Sequence, residues 1–309
     1  MSQIRFDDRV AIVTGAGAGL GRSHALGLAS RGAKLVINDV GTSLDGAAES
    51  TDAAQAVVEE ITASGGDAMA HGADVTNVDQ VQDMVAQTME RWRRVDILIN
   101  NAGILRDKSF AKMALDDFHK VIDVHLMGSV NCTLAVWNIM REQGYGRIVF
   151  TTSSSGLYGN FGQSNYAAAK AAMMGLMNVL HLEGAKADIR VNTLAPTAAT
   201  RMTEELLPPE MLAIMGPETI TPGVLYLVSQ DAPSRCILAA GAGCFARTIV
   251  YETPGICIAD DQLTPETVAA RFGEISAPQG QEALTQALEQ TVRFVKRAAA
   301  ERGITLPES

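Results

Sequence analysis

The 309-residue sequence predicts an α/β fold built on one doubly wound parallel sheet. Three observations predict it. Over about the first 240 residues, short β-rich runs alternate with longer stretches of helical period, the order that lays strands parallel with helices crossing between them. Several runs are apolar at nearly every residue, as a sheet covered on both faces requires. A glycine cluster joins the first run to the first helical stretch.

The first strand is "RVAIVT" (9–14), and Gly15, Gly17, Gly19 and Gly21 follow it and open a helix near Gly19. Glycine lets a phosphate approach the main chain. The helix start then offers it free N–H groups and the positive end of a dipole. Alone the motif is weak; its place between first strand and first helix is the context it requires. Without a ligand, the same glycines make a tight strand-to-helix turn. A triphosphate-binding loop is disfavoured, since no Gly-Lys-Ser/Thr follows. The second strand, "AKLVIND" (33–39), ends on Asp39, about 20 residues beyond the glycines. A carboxylate there bonds ribose hydroxyls and repels a 2′-phosphate, which selects NAD over NADP. Arg22 beside the loop argues the other way, and taken singly Asp39 reads as a solvated loop acid.

A long loop (41–52) leads on to a third strand, "DAMAHGAD" (67–74). The helix "VDQVQDMVAQTMERW" (78–92) follows, with Val78, Val81, Met84, Val85 and Met89 on one face. The remaining strands are "VDILINNAG" (95–103), "GRIVFTTS" (146–153), "IRVNTLAP" (189–196) and "CILAAGAG" (236–243). After about residue 245 the alternation stops, and a Pro/Gly-punctuated stretch leads to an amphipathic helix over 281–303. The expected organisation is a nucleotide-binding domain over 1–245 and a C-terminal extension over 246–309. The apolar positions of its helix would cover the domain, a second subunit or another protein.

With 47% hydrophobic and 19% charged residues the chain reads as a globular protein. A net charge of −10 argues against broad nucleic-acid binding. No apolar run approaches membrane-spanning length. The polar start "MSQIRFDDRV" carries no signal-peptide pattern, and Cys132, Cys236, Cys244 and Cys257 form no C-x-x-C, so reduced thiols and a cytoplasmic location are expected. No Cys/His pair has ligand spacing, so no metal site is expected.

The chemistry-bearing stretch is "SNYAAAKAAM" (164–173). On a helix, positions i and i+4 fall about 40° apart and about 6 Å along the axis, so Tyr166 and Lys170 share a face. An ammonium stabilises a nearby phenolate and makes a phenol a usable acid and base for an alcohol/carbonyl pair. Such a pair by itself is usually an exposed helix face. The case is strengthened by "TTSSSG" (151–156) at the C-terminal end of the fifth strand, where doubly wound sheets bind ligands. Ser153 there can hydrogen-bond the same substrate oxygen.

These motifs together resemble the short-chain dehydrogenase/reductase family: "TGAGAGLG" (14–21), Asp74-Val75, "NNAG" (100–103), Ser153 and "YAAAK" (166–170), in family order over about 240 residues. The resemblance implies a Rossmann-type sheet of order 3-2-1-4-5-6-7 and an NAD(P)-dependent oxidoreductase. Tyr166 would be the acid/base, Lys170 would bond the nicotinamide ribose and tune Tyr166, and Ser153 would orient the substrate. Gly15, Gly19 and Gly21, with Gly17 and Leu20 of the same loop, would approach the pyrophosphate, with Asp39 at the ribose. Asp74 and Val75 would contact adenine; Asn101, Ala102 and Gly103 would line the adenosine side.

Two departures stand out. His125 of "VIDVHLMGSV" occupies the place of an asparagine that supports a proton-relay water; it would hold that water or simply pack in its helix. After the sixth strand Pro196 is kept but Thr197 replaces glycine, which makes Thr200 a candidate to bond the carboxamide. "NDVG", "VHLMGS", "NTLAPTAATRM" and "LTPETVAARF" are similar to the (3R)-hydroxyacyl-CoA dehydrogenase unit of peroxisomal multifunctional enzymes, also described as a 17β-hydroxysteroid dehydrogenase. The implied substrate is a (3R)-3-hydroxyacyl-CoA; a steroid or other secondary alcohol, and a non-catalytic NAD sensor, are the alternatives. A loop over 198–218, with Met202, Leu206, Leu207, Met211 and Met215, would cover an acyl chain or pack on its own domain. The family implies a homodimer or homotetramer, with Trp137, Met173, Met174 and Met177 in the core or at a subunit interface.

Overall fold

In the computed structural model, residues 3–41, 52–198 and 208–307 are described. Eight strands form one sheet in the order β3-β2-β1-β4-β5-β6-β7-β8. They are β1 (Val10–Thr14), β2 (Lys34–Asn38), β3 (Ala68–His71), β4 (Ile97–Asn100), β5 (Gly146–Thr151), β6 (Ile189–Thr197), β7 (Ile237–Gly241) and β8 (Cys244–Thr248). The pairings among β1 to β7 are parallel. The first seven strands follow the predicted order. The eighth was not foreseen. It returns through Ala242 and Gly243, both at positive φ, as a two-residue hairpin requires. "CFART" is exposed along most of its length, so it lacks the apolar run by which a covered strand is recognised.

Among the described residues up to Leu227, nine α-helices follow or connect the strands. They are α1 (Gly19–Ala29), α2 (Asp52–Ala63), α3 (Val78–Trp92), α4 (Leu115–Ile122), α5 (Gly128–Gln143), α6 (Ser154–Tyr158), α7 (Ser164–Gly184), α8 (Pro209–Leu212) and α9 (Thr221–Leu227). Alternation along each strand splits the core in two. On one face Ala11, Val13, Leu35, Ile37 and Ile99 pack against α1, α2 and α9 through Ala25, Leu28, Val57, Ile61 and Val224. On the other Ile12, Val36, Leu98, Ile148 and Val191 pack against α3, α5 and α7 through Val81, Met84, Val136, Met173 and Met177. Each such Val, Leu, Ile or Met side chain contributes about 1.5–3 kcal/mol on burial. Met173 and Met177 are therefore core residues, with Trp137 and Met174 packed at the edge of the same cluster. In α3 the predicted apolar face holds, except that Val78 at its start is half exposed.

The register aligns Thr14 with Asn38, Asn100 with Phe150, and Thr151 with Leu194. The C-terminal ends of β1, β2, β4, β5 and β6 thus reach one edge, where a crevice forms in sheets of this winding. The opposite edge is held by a buried charge network. Asp96, fully buried, takes Arg9 at 2.9 Å and Arg94 at 2.6 Å, while buried Arg147 reaches Asp188 at 3.0 Å.

The chain divides into two compact units, Met1–Arg247 and Thr248–Ser309. The second contains α10 (Pro265–Ala270), α11 (Phe272–Ile275) and α12 (Ala287–Glu301). Glu252 pairs with Arg293, Asp260 with Arg302, and the backbones of Glu252 and Glu282 exchange hydrogen bonds.

Candidate active site

At the C-terminal edge of the sheet the glycine loop is held by its neighbours. Gly15 and Gly19 have positive φ (62° and 53°), which L side chains rarely adopt. A Cβ on Gly15 would lie 2.8 Å from the Ala102 Cα, so β1 and the "NNAG" turn are in close backbone contact. Asn101 ties the two together: its Nδ2 donates to the carbonyls of Thr14 (3.1 Å) and Gly15 (3.0 Å). The Thr14 hydroxyl accepts from the N–H groups of Asn101 and Ala102, each at 3.0 Å. The residue before α1 is Ala18, which makes no side-chain cap, and Leu20 and Gly21 lie in the first turn. The N–H groups at this helix start are thus without the usual side-chain acceptor, in the arrangement a phosphate takes.

Asp39 belongs to the same construction. Its Oδ2 accepts from the Gly17 N–H at 2.8 Å and its Oδ1 from the Gly41 N–H at 2.7 Å. A Cβ on Gly17 would sit 2.9 Å from that carboxylate. Arg22 points elsewhere, ion-paired with Glu60. Asp74 accepts from both the N–H and hydroxyl of Thr76 at 2.8 Å. Val75 is buried against Gly128 and its carbonyl accepts from Asn131 at 2.9 Å, so its side chain belongs to the core. Pro196 is half-buried in β6 beside Ala240, and Thr197 ends the strand exposed. Thr200, Arg201, Met202, Leu206, Leu207 and most of the 41–52 loop lie outside the described residues.

The catalytic candidates converge. Ser153, buried, caps α6, and its Oγ accepts from the Ser155 N–H at 3.2 Å. Tyr166 and Lys170 lie in the first two turns of α7, with Lys170 Nζ 5.5 Å from the phenol ring centre. Lys170 is buried and donates to the Thr151 carbonyl at 2.6 Å. Its own carbonyl accepts from Thr152 at 2.6 Å, locking α7 to the end of β5. His125 sits in a π-helical turn, Asp123–Met127, between α4 and α5. Its ring meets that of Tyr166 edge-on, 5.2 Å between centres.

Burial dominates the electrostatics. It lowers Lys170 from 10.5 to about 7 and holds His125 well below its usual range, Lys170 adding to the latter effect. Burial also raises the Tyr166 phenol; Ser153 pulls it back and Asp107 pushes it further up. The sequence pattern led us to expect Lys170 to lower the phenol. Here desolvation of both groups outweighs that attraction, and an amine titrating near 7 is only about half charged at neutral pH.

His125 is neutral and fixed. Its Nε2 lies 2.8 Å from the Ile104 carbonyl and 3.1 Å from the Ile104 N–H. With the proton on Nε2 the ring donates to that carbonyl and Nδ1 is an acceptor; with the proton on Nδ1, Nε2 accepts the Ile104 N–H; in either tautomer Nδ1 is buried without a hydrogen-bond partner among the described residues. Gly103 makes room for this ring, since a Cβ there would fall 2.2 Å from His125 Cε1. His24, on α1, is a packed core residue: burial lowers it to about 3, and its Nδ1 bonds the Thr221 hydroxyl at 2.9 Å.

Residues 9–210 match the family described as short chain dehydrogenase. This chain belongs to that family. Within it, the short-chain dehydrogenase is 45% identical over 276 residues to a peroxisomal hydratase-dehydrogenase-epimerase of Saccharomyces cerevisiae, covering 88% of this chain but 30% of the yeast protein. Its fold matches full-length peroxisomal multifunctional enzyme type 2 from Drosophila melanogaster with a TM-score of 0.81 and 35% identity, over 96% of this chain and 50% of that one. A 7α-hydroxysteroid dehydrogenase, complexed with NADH and 7-oxo glycochenodeoxycholic acid, matches at TM-score 0.70 and 31% identity over 77% of this chain and 95% of that one. This short-chain dehydrogenase therefore spans half or less of these two multifunctional relatives.

Sequence reasoning passed over Thr14, Thr151, Thr152, Asp107 and Gln163. Thr14 carried a signal, a polar residue ending an apolar strand directly before the glycines. Thr151 acts through its carbonyl, which no side-chain pattern reveals.

Proposed function

We propose that this short-chain dehydrogenase interconverts a secondary alcohol and a ketone with NAD, and that its substrate is a (3R)-3-hydroxyacyl-CoA. The observation that carries the reaction type is the convergence of Ser153, Tyr166 and Lys170 at the sheet edge beside the glycine loop. The substrate class is supported by likeness to a hydratase-dehydrogenase-epimerase. A hydratase adds water across a C=C bond and yields an alcohol, which a dehydrogenase next oxidises.

NAD fits the residues present. The uncapped start of α1 suits the pyrophosphate, and Asp39, pinned opposite Gly17, suits ribose hydroxyls and disfavours a 2′-phosphate. When bound, the nicotinamide supplies the hydride acceptor or donor. Tyr166 exchanges the proton of the substrate oxygen. Because Ser153 Oγ already accepts from the Ser155 N–H, its own proton is free to be donated to that oxygen or to Tyr166. A raised phenol rests protonated, the form that donates to a ketone. Reduction should therefore run at neutral pH, and oxidation should accelerate as pH rises. His125 Nδ1, beside Tyr166, would hold a proton-relay water.

An apolar cavity of about 410 Å³ lies between Thr197, Met211, Met215, Ala239 and Phe245, of a size for an acyl chain. The dehydrogenase chemistry belongs to residues 1–245, with 246–309 as an accessory extension. Exposed Leu134 on α5 and Val179 and Leu182 on α7 suit a homo-oligomer. Four free thiols suit the cytoplasm. Among the described residues no helix is long and apolar enough to cross a membrane.

A screen of NADH formation with (3R)- and (3S)-3-hydroxyacyl-CoAs, sterols and small secondary alcohols tests this. The (3R)-thioesters should be oxidised, with NAD preferred to NADP. Tyr166→Phe should lose turnover by about 10³-fold or more while still binding NAD. Turnover retained in that variant would refute the acid/base, and oxidation of sterols alone would refute the substrate class.

A further inference from the structure

Outside the serine, tyrosine and lysine lies a second set of polar side chains with no assigned role. Gln163, buried just before α7, is bonded through both its amide nitrogen and its amide oxygen. Its Nε2 donates to Asp107 Oδ2 at 2.7 Å, and its Oε1 accepts from Ser155 Oγ at 2.7 Å and Asn160 Nδ2 at 3.1 Å. Ser155, its hydroxyl committed to Gln163, donates its N–H to Ser153 Oγ. Ser155 thus donates in both directions, through its hydroxyl to Gln163 and on to the Asp107 carboxylate, and through its N–H to Ser153 beside Tyr166.

The same junction is bonded through its backbone. The Lys108 N–H donates to the Gly162 carbonyl at 2.9 Å, and Asn165 Nδ2 to the Arg106 carbonyl at 3.0 Å. The loop carrying Asp107 is thus fastened to the start of the helix carrying Tyr166. The titratable and charged groups around the phenol can be named by element. Lys170 comes from α7, neutral His125 from the π-helical turn, and Asp107 from the loop after β4. Neighbouring Arg106 turns to Asp117, 3.4 Å away, and Lys108 is exposed. Ser153 and Ser155, at the end of β5 and in α6, are uncharged.

We propose that Asp107 and Gln163 are positioning residues for Tyr166: Gln163 orients Ser153 through Ser155, and the carboxylate it tethers sets a negative charge on the Tyr166 side of the site. The inference rests on the reading of Tyr166 as the acid/base and adds to it. Burial sets most of the phenol's shift; Ser153 opposes it and Asp107 adds to it, so this pair of neighbours trims the pH at which the proton moves. Asp107 is exposed and Lys170 buried, so salt weakens the first far more than the second.

The test reads the phenol itself. Tyrosinate absorbance is titrated in the full chain, and the Tyr166 contribution is assigned by its loss in Tyr166→Phe. Asp107→Asn keeps an oxygen for Gln163 and removes the charge; it should move the titration to lower pH by about half a unit. Gln163→Glu removes the donor and sets a second carboxylate beside the first; it should move the titration up. High salt should shift the wild type in the direction of Asp107→Asn and leave that variant in place. A clamp that only braces the fold would lower the melting temperature without opposite shifts. Two shifts of one sign, or none, overturn the proposal, and if Gln163→Glu fails to fold, the salt response of the wild type decides alone. No substrate is consumed, so a failed activity screen would sink the substrate assignment and leave this titration standing.

Discussion

The two halves of the crevice are built from different materials. The half proposed for the nucleotide is made of backbone: Gly15 pressed on Ala102, Gly17 on Asp39, Asn101 donating to two carbonyls, and an uncapped helix start. The half proposed for catalysis is made of buried side chains whose protonation is displaced by their surroundings, Lys170 downward, Tyr166 upward and His125 downward. A backbone cradle tolerates changes of pH but not of shape. A cluster of buried titratable groups is held in shape by carbonyls and amides and is sensitive to pH. The contrast predicts what each kind of substitution should do.

The largest effect is expected at Lys170. The unfolded chain keeps its proton up to about pH 10, while the folded chain releases it near 7. Between those values unfolding takes up a proton, so raising the pH favours the folded state, and below about 7 the full cost of burying the ammonium is present. Lys170→Met removes this cost along with the bond to the Thr151 carbonyl. The variant should match or exceed the wild type in stability at pH 6 and fall behind it by several kcal/mol at pH 9–10. Denaturant unfolding at both pH values checks this; a stability difference that does not change with pH would show that Lys170 stays charged in the fold.

Next in size is Gly103→Ala. Its Cβ would meet the His125 ring at 2.2 Å, and the ring is held by Ile104 on one side and Tyr166 on the other. Overpacking of this kind costs about 1–3 kcal/mol. The change should lower turnover more than NAD affinity, because it displaces a catalytic neighbour. Calorimetric binding set against kcat separates the two, and an equal loss in both would place Gly103 in the nucleotide half.

That result bears on how much of the site can be read from the sequence. Gly103 belongs to "NNAG", which the family resemblance assigns to the adenosine side; in the structure its missing side chain serves His125. The strand order came with the family resemblance, while the convergence of Ser153 with Tyr166 and Lys170 and the pairing of Asp39 with the glycine loop were visible in spacing, because both depend on the regular period of an α/β sheet. The sign of the Tyr166 shift was hidden. A four-residue spacing gives the direction of an ion's pull and says nothing of desolvation, which depends on Val121, Ile104 and Ala169 packing around the phenol from three separate segments. Gln163 was hidden for the same reason: its partner Asp107 is 56 positions away.

The smallest effect, at Asp39, gives the finest test of the contrast. The spacing rule treats this carboxylate as a selector that could be removed without other consequence. In the structure it also accepts the N–H groups of Gly17 and Gly41, so it closes the loop it is meant to serve. Asp39→Ala would lose both bonds together with the charge and confuse the two roles. Asp39→Asn keeps one oxygen, loses the charge and turns an amide toward one of the two N–H donors. It should cost about 1 kcal/mol of stability through that single bond, and reduce the preference for NAD over NADP by about tenfold as the repulsion of a 2′-phosphate falls away. Melting temperature and the ratio of kcat/KM for the two cofactors separate the effects. If preference is lost with stability intact, Asp39 acts through charge alone; if stability is lost with preference intact, it is part of the backbone cradle and selection lies elsewhere.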